Sequence, residues 1–118
     1  PNQTMIFKVN LDTGTRAYFS GAYNGPGLGY TEVGSGDALL NVMDLKVGPD
    51  NQLYAVGAIS DIGAPKLWRI DPTTGARTKI FDEETATTAQ LCSNYSTLAG
   101  RKTVQMTPEG WAMDGQGR

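Results

Sequence analysis

The sequence of 118 residues predicts an all-β fold made of antiparallel sheets, and two observations support this prediction. Several short segments place apolar residues at every second position, which is the period of a strand with one buried face. In addition, the unit FKVNLDTGTR at residues 7–16 returns as WRIDPTTGAR at residues 68–77, an offset of 61 (68 minus 7). A second unit, DLKVGPDNQ at residues 44–52, returns as GWAMDGQGR at residues 110–118. Self-similarity at such a long period is typical of solenoids and propellers, in which each unit buries its apolar face against a neighbour.

The first repeated unit is predicted to form a β-hairpin over residues 5–19. Apolar residues alternate from Met5 to Leu11, as expected for a strand. The run Asp12-Thr13-Gly14 favours a turn, because Asp can hydrogen-bond its own backbone and Gly tolerates a positive φ. The segment 16–19 can then return as the partner strand.

A complete four-stranded antiparallel sheet is predicted over residues 43–81. Its strands are expected at residues 43–47, 53–58, 67–71 and 77–81. The turn-forming run GPDN joins the first two strands, and PTTG joins the last two. The last hairpin repeats the first hairpin of the chain, and no segment shows the sustained apolar periodicity of a helix.

Two long connections, at residues 20–42 and 82–109, are predicted as loops between sheets, and residues 110–118 as the first strand of a further unit. Loops of this length in a compact domain are usually functional or packed on a partner. The first connection is rich in glycine and contains Tyr23 and Tyr30. We predict that these two tyrosines form a contact patch for a protein or a sugar.

Composition and motif content argue against several classes of function. With 10 basic and 12 acidic residues, a net charge of −2 and no basic cluster, nucleic acid is not a predicted partner. No apolar run approaches the roughly 18 residues of a membrane span. The run Gly27-Leu28-Gly29 does not predict a nucleotide site, because Glu32 stands where the third glycine of the dinucleotide motif would fall.

The chain contains no histidine and one cysteine, Cys92. A Ser-His-Asp triad, a Cys-His pair or a histidine-rich metal site therefore cannot be assembled from this chain alone. A single cysteine cannot form an internal disulfide, and we expect Cys92 to be a small structural side chain. Trp68 and Trp111 fall at apolar strand positions, so core packing is predicted for both rather than stacking on carbohydrate.

The repeated units, together with GSGDAL at residues 34–39, resemble the NHL-like and six-bladed TolB-like β-propeller repeats. In those repeats a G-I-A-V-D-x-x-G-x-L-Y-V segment precedes a strand that ends in R-I-D-P-x-T-G-x-R. The resemblance implies an incomplete propeller built from antiparallel four-stranded blades. Residues 5–19 would be the outer hairpin of one blade, residues 43–81 a complete blade, and residues 110–118 the first strand of the next blade.

Such propellers include binding modules, lyases, lactonases and oxidoreductases, so the resemblance implies a fold more than a function. Asp44 stands where these repeats often have Gly, and Gly48 where they often have Asp, which weakens the transfer of a channel-lining acid. We expect a non-catalytic segment of a longer extracellular, cell-surface or periplasmic protein that acts as a structural and protein-interaction scaffold. Its partners would be proteins bound by the inter-blade loops, or further blades of the same chain.

The alternative is an enzyme, in which this segment belongs to a propeller lactonase or lyase with a divalent metal in the central channel. Resemblance to gluconolactonase-like propellers would place oxygen ligands near the inner strands, at Asn41, Asp44, Glu109 and Asp114. The acidic run at residues 82–84 offers a second place for calcium. The scaffold interpretation requires no cofactor. In the enzyme alternative, calcium is the ion that these oxygen donors would accept.

Overall fold

Two antiparallel sheets make up the described part of the chain, which covers residues 3–27, 29–58, 65–82 and 85 of a computed structural model. The strands are β1 (Met5–Val9), β2 (Arg16–Gly25) and β3 (Gly29–Val33) in the first sheet, and β4 (Val42–Val47), β5 (Leu53–Ala58), β6 (Pro65–Ile70) and β7 (Arg77–Asp82) in the second. Neighbouring strands follow the order of the sequence in both sheets. The described residues contain no helix, so the prediction of an all-β antiparallel fold is confirmed.

The two hairpins β1–β2 and β6–β7 share one pattern of pairing. The pairs of the first hairpin are Met5–Gly21, Ile6–Ser20, Phe7–Tyr18, Lys8–Ala17 and Val9–Arg16, and those of the second are Lys66–Asp82, Leu67–Phe81, Trp68–Lys79, Arg69–Thr78 and Ile70–Arg77. Every pair of the second hairpin therefore lies 61 residues after its counterpart (68 minus 7). Both hairpins also contain a bulge at the same place, where Phe19 in the first and Ile80 in the second have no partner in the register.

The two hairpin turns are built in the same way. Asn10 Oδ1 accepts hydrogen bonds from the backbone N–H groups two and three residues later, at 2.9 and 3.0 Å, and Asp71 Oδ1 does the same at 2.7 and 2.9 Å. Gly14 and Gly75 close the turns with φ angles of 69° and 72°. The sequence prediction assigned the turn-forming acceptor to Asp12, whereas the structure assigns it to Asn10, the last residue before the turn.

The structure differs from the loop predicted at residues 20–42. β2 continues to Gly25, and β3 returns from Gly29 to Val33. Gly27 and Gly29 have positive φ angles of 81° and 68°, which allow the chain to reverse tightly between these strands. Several glycines that the sequence analysis assigned to a loop therefore belong to a hairpin. Only the segment that follows β3 connects the two sheets.

The core lies between the two sheets and contains residues from both. Its buried members are Phe19 from the first sheet, Leu39 from the connection, and Ala55, Trp68 and Ile70 from the second sheet. Trp68 is fully buried, which confirms its predicted place in the core. Its Nε1 finds no hydrogen-bond partner among the described residues, so the indole contributes to this core through its area and shape.

Several sequence predictions fall outside the described residues. These are the connection predicted at residues 82–109, of which the structure describes only Asp82, the last residue of β7, and Thr85, and the strand predicted at residues 110–118 with Trp111. Within the described ranges, no helix is long and apolar enough to cross a membrane.

Candidate functional site

The two tyrosines of the predicted contact patch lie on opposite faces of the first sheet. Tyr23 pairs with Thr31 and Tyr30 pairs with Asn24, and successive residues of a strand point to opposite faces. Both rings are accessible, with 40% of Tyr23 and 59% of Tyr30 exposed. The side chain of Tyr23 lies beside Gly25, where a Cβ atom would collide with its ring. The two rings therefore lie on separate surfaces and do not form a single continuous patch.

Tyr30 belongs to a polar chain that leads to the junction of the two sheets. Its hydroxyl donates to Glu32 Oε2 at 2.9 Å, and Glu32 Oε1 accepts from Arg77 Nη2 at 3.0 Å. The hydrogen bond to Glu32 is the main cause that raises the pKa of Tyr30 above its usual value, because the carboxylate favours the protonated phenol. An exposed aromatic ring is thus held in place by a buried guanidinium through one carboxylate.

Arg77 is the centre of this junction. Its side chain comes from the first residue of β7, is fully buried, and extends to the first sheet and the connection that follows β3. Nε donates to the carbonyl of Asp37 (2.8 Å), Nη1 to the carbonyl of Val33 (2.7 Å) and to Ser20 Oγ (3.3 Å), and Nη2 to Glu32 Oε1 (3.0 Å) and to the carbonyl of Gly36 (3.3 Å). A guanidinium carries five N–H donors, so the number of acceptors matches the capacity of the group. A charge that is buried in this way is stable because every donor is satisfied.

Glycines allow the backbones to approach each other at this junction. Gly36 has a φ of 104°, and a Cβ atom there would collide with the carbonyl oxygen of Arg77. Gly34 and Gly75 also have positive φ angles, and a Cβ at Gly34 would collide with the carbonyl of Gly75. Ser20 Oγ donates to the carbonyl of Gly75 at 2.7 Å and so links the first sheet to the turn of the second hairpin. The glycine-rich connection therefore serves close packing between the sheets.

Lysine side chains complete the polar contacts between and within the sheets. Lys8 Nζ donates to the carbonyl of Pro72 at 2.9 Å and lies 4.1 Å from the ring centre of Phe19. In the second sheet, the buried Asp82 carboxylate accepts from Lys66 Nζ and from Lys79 Nζ, each at 2.6 Å. Asp82 was the first residue of the acidic run suggested for calcium, and both of its oxygens contact ammonium groups.

The other suggested metal ligands are only partly within the described residues. Asp44 Oδ1 accepts from the backbone N–H of Leu45 at 2.9 Å, and its Oδ2 lies 3.5 Å from Lys46 Nζ. Asn41 has a positive φ of 43° at the end of the connection. No group of three or more His, Cys, Asp or Glu side chains suited to a metal ion occurs within the described ranges. The remaining candidate ligands, Glu109, Asp114, Glu83 and Glu84, lie outside those ranges, as does Cys92, which was predicted to be a structural side chain.

The outer face of the first sheet exposes apolar side chains whose counterparts in the second sheet are buried. Phe7 and Val9 are 49% and 50% exposed, whereas Trp68 and Ile70, which lie 61 residues later, have no exposed surface. Phe7 packs against Tyr18 on the same face, with ring centres 5.1 Å apart. Contiguous exposed apolar side chains of this kind are typical of surfaces that contact another protein or domain.

Sequence reasoning did not identify Arg77 as a key residue, although a signal for it was present. Both repeated units end in arginine, at Arg16 and Arg77, and each follows a turn that ends in a glycine and one small residue. A basic residue that recurs at the same position of a repeat marks that position as a candidate contact, and in the structure Arg77 is buried at the junction whereas Arg16 is exposed. The acceptors of Arg77 could not be deduced from the sequence, because three of them are backbone carbonyls.

No protein family, no curated protein and no solved structure shows a significant match to this chain.

Proposed function

We propose that this chain is a non-catalytic segment of a β-propeller and acts as a structural and protein-binding scaffold in a secreted or cell-surface protein. The observation that supports this proposal best is the junction at Arg77, together with the shared register of the two hairpins. Two sheets that carry the same hairpin, share one core and are joined by an arginine of the later sheet are what consecutive blades of a repeat would require.

The chemistry of the junction supports a structural role for its charged groups. The hydrogen bonds of Arg77 all go to protein acceptors, so its guanidinium has no donor left for a substrate. The Asp82 carboxylate is likewise occupied by two lysines. Charges that are buried and paired in this way hold sheets in a fixed arrangement, and they leave contacts with partners to exposed residues.

Tyr30 is the exposed residue best suited to such a contact. It lies on β3 at the edge of the first sheet, and its hydroxyl is oriented by Glu32, which in turn contacts Arg77. A pre-oriented aromatic side chain loses little conformational entropy on binding, and tyrosine is enriched at protein interfaces for this reason. We infer that β3 and the turn before it bind a protein partner.

Site-specific photo-crosslinking in the protein's native setting tests this function. A benzophenone amino acid replaces Tyr30 in one variant and Leu11 in a matched control, since Leu11 is 94% exposed at the tip of the first hairpin. We expect the Tyr30 variant to crosslink to a distinct polypeptide in a saturable way, and the Leu11 variant to give no such product. Equal crosslinking by both variants, or metal-dependent lactonase or lyase turnover by the purified protein, would contradict the proposal.

A further inference from the structure

β1 lies at an edge of the first sheet. Its only partner among the described strands is β2, so the backbone groups on its other side face no described strand. An unpaired row of N–H and C=O groups is a ready template for another strand. β1 is also short and half exposed, with Phe7 and Val9 accessible beside this edge.

The counterpart of β1 in the second sheet has no such free edge. β6 pairs with β7 on one side and with β5 on the other. The two hairpins share their register with an offset of 61. β5 therefore occupies, beside β6, the position that no described strand fills beside β1. The second sheet therefore shows which kind of strand fits there, and in which direction.

The pairing of β5 defines the chemistry of the missing strand. Ala55 lies opposite Trp68, so a small residue belongs opposite Phe7. By the same register, Leu53 marks the position opposite Val9. We propose that the free edge of β1 binds an antiparallel strand from another unit of the same repeat, with a small residue opposite Phe7 and a branched aliphatic residue opposite Val9.

The edge carries little protection against such binding. Proteins usually guard edge strands with proline or with outward charges, often lysine. Lys8 is the one charged residue of β1, and its ammonium group is held at the junction by the carbonyl of Pro72 and the ring of Phe19. The charge of Lys8 thus serves the contact with the second sheet and leaves the open edge free to pair. This inference rests on the proposed function, since another unit of the repeat is expected only in a propeller-like assembly.

Amide hydrogen exchange with a peptide copy of the fitting strand tests the inference. The probe is an unlabelled peptide of residues 42–58, which carries β4 and β5 with their turn, added in excess to the ¹⁵N-labelled 118-residue chain. We expect the outward amides of β1 to exchange roughly tenfold more slowly at saturation, because a paired amide must open before it exchanges. Exchange in β3, the other edge of the same sheet, and in β6 should not change.

Two altered peptides make the test specific. A peptide with Ala55→Pro should lose the protection, because proline in the middle of a strand has no N–H to donate to the ladder. A peptide N-methylated at alternate ladder positions should lose it for the same reason. Equal protection by these peptides, protection of β3 or β6 in place of β1, or no protection at all would overturn the inference. If the peptide does not protect β1 but the Tyr30 variant still crosslinks to a partner, only the strand site is refuted. If the Tyr30 variant gives no crosslink but the peptide still protects β1, the scaffold function is refuted.

Discussion

Replacing Arg77 with methionine removes the charge at the sheet junction and keeps an apolar stem of similar length. The substitution removes the Arg77 donors from the carbonyls of Val33, Gly36 and Asp37. It also removes the cationic partner of Glu32, which keeps its hydrogen bond from Tyr30. Breaking a buried, hydrogen-bonded charge network in this way costs about 3–5 kcal/mol of unfolding free energy. Glu32 is 43% exposed and can turn to water, so the lost carbonyl contacts dominate the expected cost.

Arg16 provides the matched control for this measurement. It holds the same place in the first hairpin, opposite Val9 as Arg77 is opposite Ile70, yet it is exposed to solvent. Arg16→Met should change stability by no more than about 0.5 kcal/mol, as surface substitutions usually do.

Urea unfolding of the unsubstituted protein, Arg77→Met, Arg16→Met and Arg77→Lys, followed by far-ultraviolet circular dichroism, compares these costs. With a slope of about 1–3 kcal/mol per molar urea, Arg77→Met should lower the midpoint by roughly 2 M. The midpoint of Arg77→Lys should lie between those of the unsubstituted protein and Arg77→Met, because lysine keeps the charge but lacks the planar guanidinium with its five donors. Equal midpoints for Arg77→Met and Arg16→Met would refute the reasoning, since the two differ only in their surroundings.

Three further predictions concern the turns, the glycines and the exposed tyrosine. Gly36→Ala should lower the free energy of unfolding by roughly 2–4 kcal/mol, and Gly14→Ala by about 1 kcal/mol. Both glycines have a positive φ, but only Gly36 lies against a neighbouring backbone. The midpoints of urea unfolding measure the difference. Backbone N–H groups lower the pKa of Asp71, so its contribution to stability is present above about pH 4 and is lost as pH falls through the lowered pKa. Asp71→Asn should remove this part of the pH dependence of the unfolding free energy. The turn should remain, because Asn10 accepts the same hydrogen bonds in the first hairpin. The raised pKa of Tyr30 should return toward about 10 in Glu32→Gln, measured by NMR titration of ¹³C-labelled tyrosine, and an unchanged value would contradict the hydrogen bond.

The hairpins could be predicted from the sequence because their information is local. Alternating apolar residues and turn-forming runs set the limits of the strands, and those of the second sheet begin and end within two residues of the predicted positions. The repeat of 61 residues also predicted that the two hairpins would be alike, and their registers agree pair by pair. Period and turn chemistry act within a few residues, so they can be read without knowledge of the rest of the chain.

The junction and β3 could not be predicted in this way. The glycines around β3 have two uses, a hairpin turn at Gly27 and Gly29 and close packing at Gly34 and Gly36, and composition alone does not distinguish them. The partners of Arg77 lie about 40 to 57 positions earlier in the chain and are mostly backbone oxygens, which every sequence has. Long-range contacts to the backbone leave no residue-type signal at the accepting end.

The Arg77 contact is directional. The later sheet donates the arginine and the earlier sheet with its connection supplies every acceptor, so the two sides of the junction are chemically different surfaces. A twofold axis cannot relate unlike surfaces, so an assembly that reuses this contact must add units head to tail. The assembly closes only if the rotation between successive units brings the arginine of the last unit to the acceptors of the first unit. With any other rotation it remains an open stack. The direction of this one contact would therefore set the polarity of any assembly in which successive sheets reuse it.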